Sequence, residues 1–132
     1  MKHYMLDTNT VSFLLKKHPS VMRHVAASPI SSLCISAITE GELLFGLAKR
    51  PDAKSLHRVV REFLRCVDVL PWDSVIAEHY GVVRADMVLN GKVLSPLDML
   101  IAAHALAINM VLVTNDQAFS QVGRLHLEDW TM

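Results

Sequence analysis

Short, almost wholly apolar runs alternate along this chain with longer stretches whose apolar positions recur every three to four residues. The runs predict strands over His3–Asp7, Leu33–Ser36, Val67–Leu70 and Met110–Thr114. Their brevity and lack of in–out alternation fit a parallel sheet covered on both faces. Between them lie helical patterns. One helix follows Asp7, with Asn9 or Thr10 as its cap and Val11, Leu14 and Leu15 on one face. Pro19-Ser20 opens a second, running through Ala27, and Ser28-Pro29 breaks it. Thr39 caps a third that runs to about Arg50, where Pro51 stops it. A fourth covers Ala53 to Arg65, with Leu56, Val59, Val60, Phe63 and Leu64 at helical spacing. Asp73 or Ser74 caps a long helix that ends at Asn90-Gly91. Ser95 caps the last, with Pro96 in its first turn. The tail from Leu125 to Trp130 is expected to add a short edge strand.

Strands separated by one or two helices pair in parallel through right-handed crossovers. The expected fold is therefore α/β, a three-layer α/β/α sandwich around a central parallel sheet. At 132 residues the chain is expected to form one domain over 1–132.

Composition adds a partner surface to this picture. The chain is 52% hydrophobic with a mean hydropathy of +0.30, high for its length. No apolar run approaches the ~18 residues needed to span a bilayer. Asp7 comes too early for a signal-peptide core, so no membrane association is expected. The excess apolar surface is then read as a dimer interface or a groove for an apolar peptide. Cys34 and Cys66 show no metal spacing and read as reduced core residues of a cytoplasmic protein. Net charge is zero, so any nucleic-acid partner must use local basic patches. Lys16-Lys17-His18, Lys49-Arg50 and the helically spaced Arg58, Arg61 and Arg65 are the candidates, and each taken alone reads first as a solvated helix face.

The candidate chemistry lies in four carboxylates. Asp7 closes the first strand, Glu42 follows the second, Asp98 sits just after Ser95-Pro96-Leu97, and Asp116 follows the fourth strand in Thr114-Asn115-Asp116. In an open α/β sheet such positions converge outside the carboxyl ends of the strands. Gathering four negative charges is costly unless a cation neutralises them, which points to a divalent-metal site and phosphate chemistry. Asn9 is the candidate to orient Asp7, and Thr114 to hold a carboxylate or a water. Two acids have a simpler reading. Thr39-Glu40-Gly41-Glu42 and Ser95-Pro96-Leu97-Asp98 both match a capping box. The seven histidines lack zinc spacing, and His104 reads as an ordinary helix residue. Trp72 and Trp130 read as packing residues. No phosphate-binding glycine loop or nucleophile elbow is present.

At these residues the chain resembles the PIN-domain ribonucleases, and within them the VapC toxins of bacterial toxin–antitoxin pairs. The markers are Met5-Leu6-Asp7-Thr8-Asn9, Ile35 to Thr39 with Glu42-Leu43 and Gly46, Pro96 to His104, Val113-Thr114-Asn115, and the closing Leu127-Glu128-Asp129-Trp130. The resemblance covers essentially the whole chain. It implies a dimeric, cytoplasmic endoribonuclease that uses Mg²⁺, with Mn²⁺ able to replace it. It makes Asp7 and Asp98 the metal ligands, with Glu42 and Asp116 completing the acidic cluster. It implies a cognate VapB-type antitoxin whose C-terminal segment occludes the site, and contact with DNA only through that partner. The implied substrate is structured RNA, tRNA above all, with the initiator tRNA anticodon region as the specific expectation. One departure bears on Asp116. Close toxin relatives read Thr-Asn-Asn-x-x-Glu-Phe, whereas this chain has Thr114-Asn115-Asp116-Gln117-Ala118-Phe119 and a shorter loop.

Three other readings remain open on residues alone. Asp7-Thr8-Asn9-Thr10-Val11 is similar to the haloacid-dehalogenase phosphatase motif, except that its second acid is Asn9. A receiver domain would need a Lys after the last core strand, where Thr114-Asn115-Asp116 has none. A catalytically inactive RNA- or protein-binding PIN domain would be expected to have lost some of the four acids.

Overall fold

A computed structural model describes residues 2–132. Among the described residues five strands form one sheet: β1 (Tyr4–Leu6), β2 (Leu33–Ser36), β3 (Asp68–Leu70), β4 (Val111–Val113) and β5 (Leu127–Glu128). Their order is β3-β2-β1-β4-β5, and every pairing is parallel. The helices are α1 (Thr8–Leu15), α2 (Pro19–Ala26), α3 (Ala37–Ala48), α4 (Lys54–Cys66), α5 (Ser74–Leu89) and α6 (Pro96–Ala107). Short 3₁₀ helices at Ile30–Ser32 and Gln117–Gln121 complete the set.

The twofold alternation of strand side chains divides the interior into two cores. Leu6, Leu33, Ile35 and Val113 point to one face, where Val11, Val21, Leu43, Leu47 and Val60 from α1 to α4 cover them. Met5, Cys34 and Leu112 point to the other, against Met87 of α5, Met99, Ile101, Ala102 and Ala105 of α6, and Phe119. Each fully buried aliphatic side chain contributes about 1.5–3 kcal/mol relative to exposure. The tail closes the first core: Trp130 is 3% exposed, and its ring lies 5.1 Å from that of Tyr4. The expected sandwich, the parallel pairing and the edge strand are all present.

Strand order places a site. From β1 the chain fills positions β2 and β3 on one side, then β4 and β5 on the other. The order reverses between β1 and β4, and ligands of open α/β sheets bind outside the carboxyl ends of strands at such a point. Asp7 follows β1 and Thr114 follows β4, and the Asp7 N–H donates to Val113 O at 3.1 Å.

Four local expectations are corrected. The cap of α1 is Asp7, not Asn9 or Thr10: its carboxylate accepts the Thr10 N–H at 2.8 Å, so the helix starts directly from the strand. The cap of α3 is Ser36, not Thr39. The Ser36 hydroxyl accepts the Ile38 N–H at 3.1 Å, and Thr39 lies fully buried inside the helix. The capping box proposed for Thr39 and Glu42 therefore does not form, and Glu42 is left for other contacts. Cys66 is not a core residue; it ends α4 with its side chain exposed, whereas Cys34 is buried. Finally, α4 starts at Lys54 and runs one residue past Arg65. The stop of α5 is as expected, with Gly91 at φ 67° just beyond Asn90.

Candidate active site

Asp7 is the most constrained of the four acids. It is 4% exposed, and one carboxylate oxygen accepts the Thr10 N–H. Burial pushes its carboxyl above the ordinary range; hydrogen bonding from Thr114 and Thr10 opposes this, and the nearby Asp98 adds to it. The Thr10 hydroxyl donates to Val113 O at 3.0 Å, tying the start of α1 to the end of β4. Asn9 is exposed and makes no side-chain hydrogen bond among the described residues, so the positioning expected of it falls to Thr10 and Thr114.

The chain beyond β4 supplies the opposite wall. The Thr114 N–H donates to Glu128 O at 2.9 Å, and its hydroxyl accepts the Asp116 N–H at 3.0 Å. Asp116 caps the 3₁₀ helix at Gln117 by accepting the Ala118 N–H at 2.9 Å. Thr114 thus fixes the Asp116 backbone and, on the Asp7 side, opposes the rise that burial gives that carboxyl.

Asp98 lies in the first turn of α6. Ser95 caps that helix and accepts the Asp98 N–H at 3.4 Å. The Asp98 carboxyl is half-buried and raised by that burial; Ser95 opposes the shift and the charge of Asp116 reinforces it. Asp7, Asp98 and Asp116 are therefore near enough to repel one another in series.

Glu42 approaches from α3. The Thr8 hydroxyl donates to Glu42 Oε1 at 2.6 Å and lies 3.5 Å from the Thr39 hydroxyl. Thr8 follows Asp7 directly, so this bond ties Glu42 of α3 to the first residue of α1. Sequence reasoning missed Thr8, because nothing in the chain pattern pairs a residue of α1 with one of α3. It also missed His104. This side chain is 1% exposed, its pKa is lowered by burial, and its Nδ1 lies 2.8 Å from the Ser36 hydroxyl. It locks the start of α3 to α6, the two helices that carry Glu42 and Asp98.

Among the described residues the ion pairs are Lys2–Glu128 and Arg65–Glu62, so none of the four acids has a basic partner. Among the described residues no three Asp, Glu, His or Cys side chains are grouped closely enough to hold a metal ion together. Asp7 and Asp98, and Asp98 and Asp116, lie near enough to act on one another's charge, and all offer oxygen donors. Such donors suit a hard divalent cation that keeps some of its waters, and do not suit zinc. A cleft of about 780 Å³ lies at the opposite ends of the strands and is lined by Glu78, His79, Asn109, Arg124 and His126 among others. None of the four acids lines it.

Residues 4–125 match the PIN domain. The chain is 35% identical to the tRNA(fMet)-specific endonuclease VapC of Shigella flexneri, covering 99% of this chain and 100% of that one. It superposes on the DNA-bound VapBC structure from Salmonella typhimurium with a TM-score of 0.90 at 36% identity, covering 98% of this chain and 99% of that one. For VapBC2 from Rickettsia felis bound to a promoter DNA fragment, the TM-score is 0.88 at 30% identity, with 96% and 98% covered.

Proposed function

Because this chain belongs to the PIN-domain family, we propose that it is the toxin of a toxin–antitoxin pair: a metal-dependent endoribonuclease built as one domain over residues 1–132. The observation that carries this reading is an acid, Asp7, buried at the switch point with no basic partner and with Asp98 near enough to raise its pKa. The arrangement is costly for the apo fold and favours a bound cation.

The cation is Mg²⁺, or Mn²⁺ in its place, held by Asp7 and Asp98. When bound it supplies Lewis acidity toward a phosphate oxygen and makes water easier to deprotonate. The protein's own residues do the rest. Thr10 and Thr114 keep the Asp7 carboxylate fixed. Thr8 occupies one oxygen of Glu42, which leaves the other to orient the attacking water and accept its proton. Asp116, fixed by its cap, adds negative charge beside Asp98 and so raises the affinity for the cation.

The substrate is structured RNA, with tRNA first and the initiator tRNA anticodon region as the specific target. The name of the Shigella relative supports this choice. The regulatory partner is a VapB-type antitoxin that covers the acids, and an Arg from it would pair with Asp7 or Asp98. The VapBC structures support that partner and an indirect contact with DNA. A homodimer is supported by the outer face of α5, where Val75, Val82 and Leu89, spaced seven apart, are 60%, 68% and 84% exposed. Among the described residues no helix is long and apolar enough to cross a membrane, and the proposed location is the cytoplasm.

The test is cleavage of total tRNA and of rRNA by the purified protein with Mg²⁺, with EDTA, and with Asp98→Asn. The expected result is a discrete tRNA product that needs both the metal and Asp98. No product, or one that survives both EDTA and the substitution, overturns the proposal.

A further inference from the structure

A groove of about 500 Å³ leaves the acidic site between α1, α3 and α4. It begins at Thr8 and Glu42, has an apolar floor that includes Leu43, Leu47 and Val60, and is also lined by Lys16, Lys49 and Arg50. The two basic patches are distant in sequence, and only the fold brings them to one groove. Among the described residues none of the three cations is paired with an acid, and Glu42 is the acid that lines the groove. Beside it, Phe45 is 62% exposed, with Lys49 Nζ 4.6 Å from its ring centre.

Charge balance gives these features a use. Four carboxylates repel the phosphates that flank a cleaved bond, and the chain has no net positive charge to offset this. Lys16 lies about 12 Å along α1 from Thr8, and Lys49 about 10 Å along α3 from Glu42, at 1.5 Å per residue. Those distances correspond to about three nucleotides of a stacked strand at ~3.4 Å each. An exposed aromatic ring beside a cation is the usual platform for an unpaired base.

We propose that this groove carries the RNA strand on one side of the scissile bond, with Lys16, Lys49 and Arg50 holding its phosphates and Phe45 stacking a base. The proposal rests on the ribonuclease reading above. These are positioning residues: they set where the strand lies and do not touch the reacting atoms.

The test compares the full-length protein with K16Q/K49Q/R50Q and with Phe45→Ala, using tRNA as substrate over a range of NaCl. A parallel binding series uses the same changes in an Asp7→Asn background. The triple variant should raise KM at least tenfold with kcat unchanged. The slope of log affinity against log salt should fall by about 2, since each lost single-strand phosphate contact removes ~0.7. Phe45→Ala should weaken binding at least about fivefold with the slope unchanged. Lys49→Arg alone should keep the parent slope. An active, folded triple variant with parent KM and salt slope overturns the proposal. So does a variant that binds tRNA normally but loses an antitoxin peptide, which would make the groove a protein-docking surface. A parent that cleaves no RNA at all refutes the ribonuclease reading instead.

Discussion

Replacing Asp7 separates its two jobs, helix cap and buried charge. Asp7→Asn keeps an oxygen that can accept the Thr10 N–H, now bonded at 2.8 Å, and deletes the charge. Asp7→Ala deletes both. Thr10 is only 2% exposed, so its N–H would then be buried without a partner. The lost cap costs about 1 kcal/mol, and an orphaned buried donor brings the range to about 1–3 kcal/mol. For a domain of this size that separates the two variants by roughly 4–12 °C in Tm. The charge acts in the opposite direction. Burial raises the Asp7 carboxyl above 3.8, so the folded state holds its proton to higher pH than the unfolded chain does. Stability then falls as pH rises through the window between 3.8 and the raised folded value, and the charge remains a cost above it. Asp7→Asn lacks that cost. Its advantage over the parent should be absent below the window and complete above it. Urea unfolding followed by circular dichroism, at a series of pH values with and without Mg²⁺, measures all of this. Mg²⁺ should stabilise the parent by about 2.7 kcal/mol at a hundredfold excess over Kd, and leave Asp7→Asn unmoved. Equal stability of the Ala and Asn variants would refute the capping argument. Parallel pH profiles for parent and Asp7→Asn would refute the strained-charge argument.

Thr8→Val removes the 2.6 Å hydrogen bond that holds Glu42. Cleavage should fall about 10–100-fold with stability changed by no more than about 1 kcal/mol, and Thr8→Ser should restore the rate. Full activity in Thr8→Val would show that Glu42 needs no such support. The two cysteines should differ sharply toward a thiol reagent. Burial, with Asp68 adding to it, pushes the Cys34 thiol up to about 12, while Cys66 is exposed. Native protein should show one fast thiol, with Cys34 reacting about a thousandfold more slowly until denaturant is added. Two fast thiols would contradict the packing of Cys34 in its core.

The layers, the strand positions and the parallel pairing were legible because hydrophobic periodicity is local, and β1 to β4 are short apolar runs bounded by clear helix signals. Caps were less legible. Asp7 and Asn9, or Ser36 and Thr39, are chemically equivalent candidates a few residues apart, and only the exit angle of each strand selects between them. The exposure of Cys66 was hidden for the same reason: it sits at the junction of α4 and β3, where one residue of shift turns a side chain from core to solvent.

Asp7, Asp98 and Asp116 could be named as candidates from the chain because each stands where a strand ends or a helix begins, and sheet topology sends such ends to one edge, whereas Glu42 lies midway along α3. The supports around them could not. Thr8 meeting Glu42 and His104 bonding Ser36 link residues 34 and 68 positions apart. No local pattern encodes such pairs, because each depends on how two helices pack across the same sheet. The same holds for Lys16, Lys49 and Arg50, which read as separate solvated patches until the fold lines one groove with them. Sequence alone therefore determined the fold class and named the candidate acids, since both follow from local pattern and residue type. Tertiary structure alone decided which groups hold the acids in place and how far their burial raises the cost of their charge, since both depend on distance and desolvation.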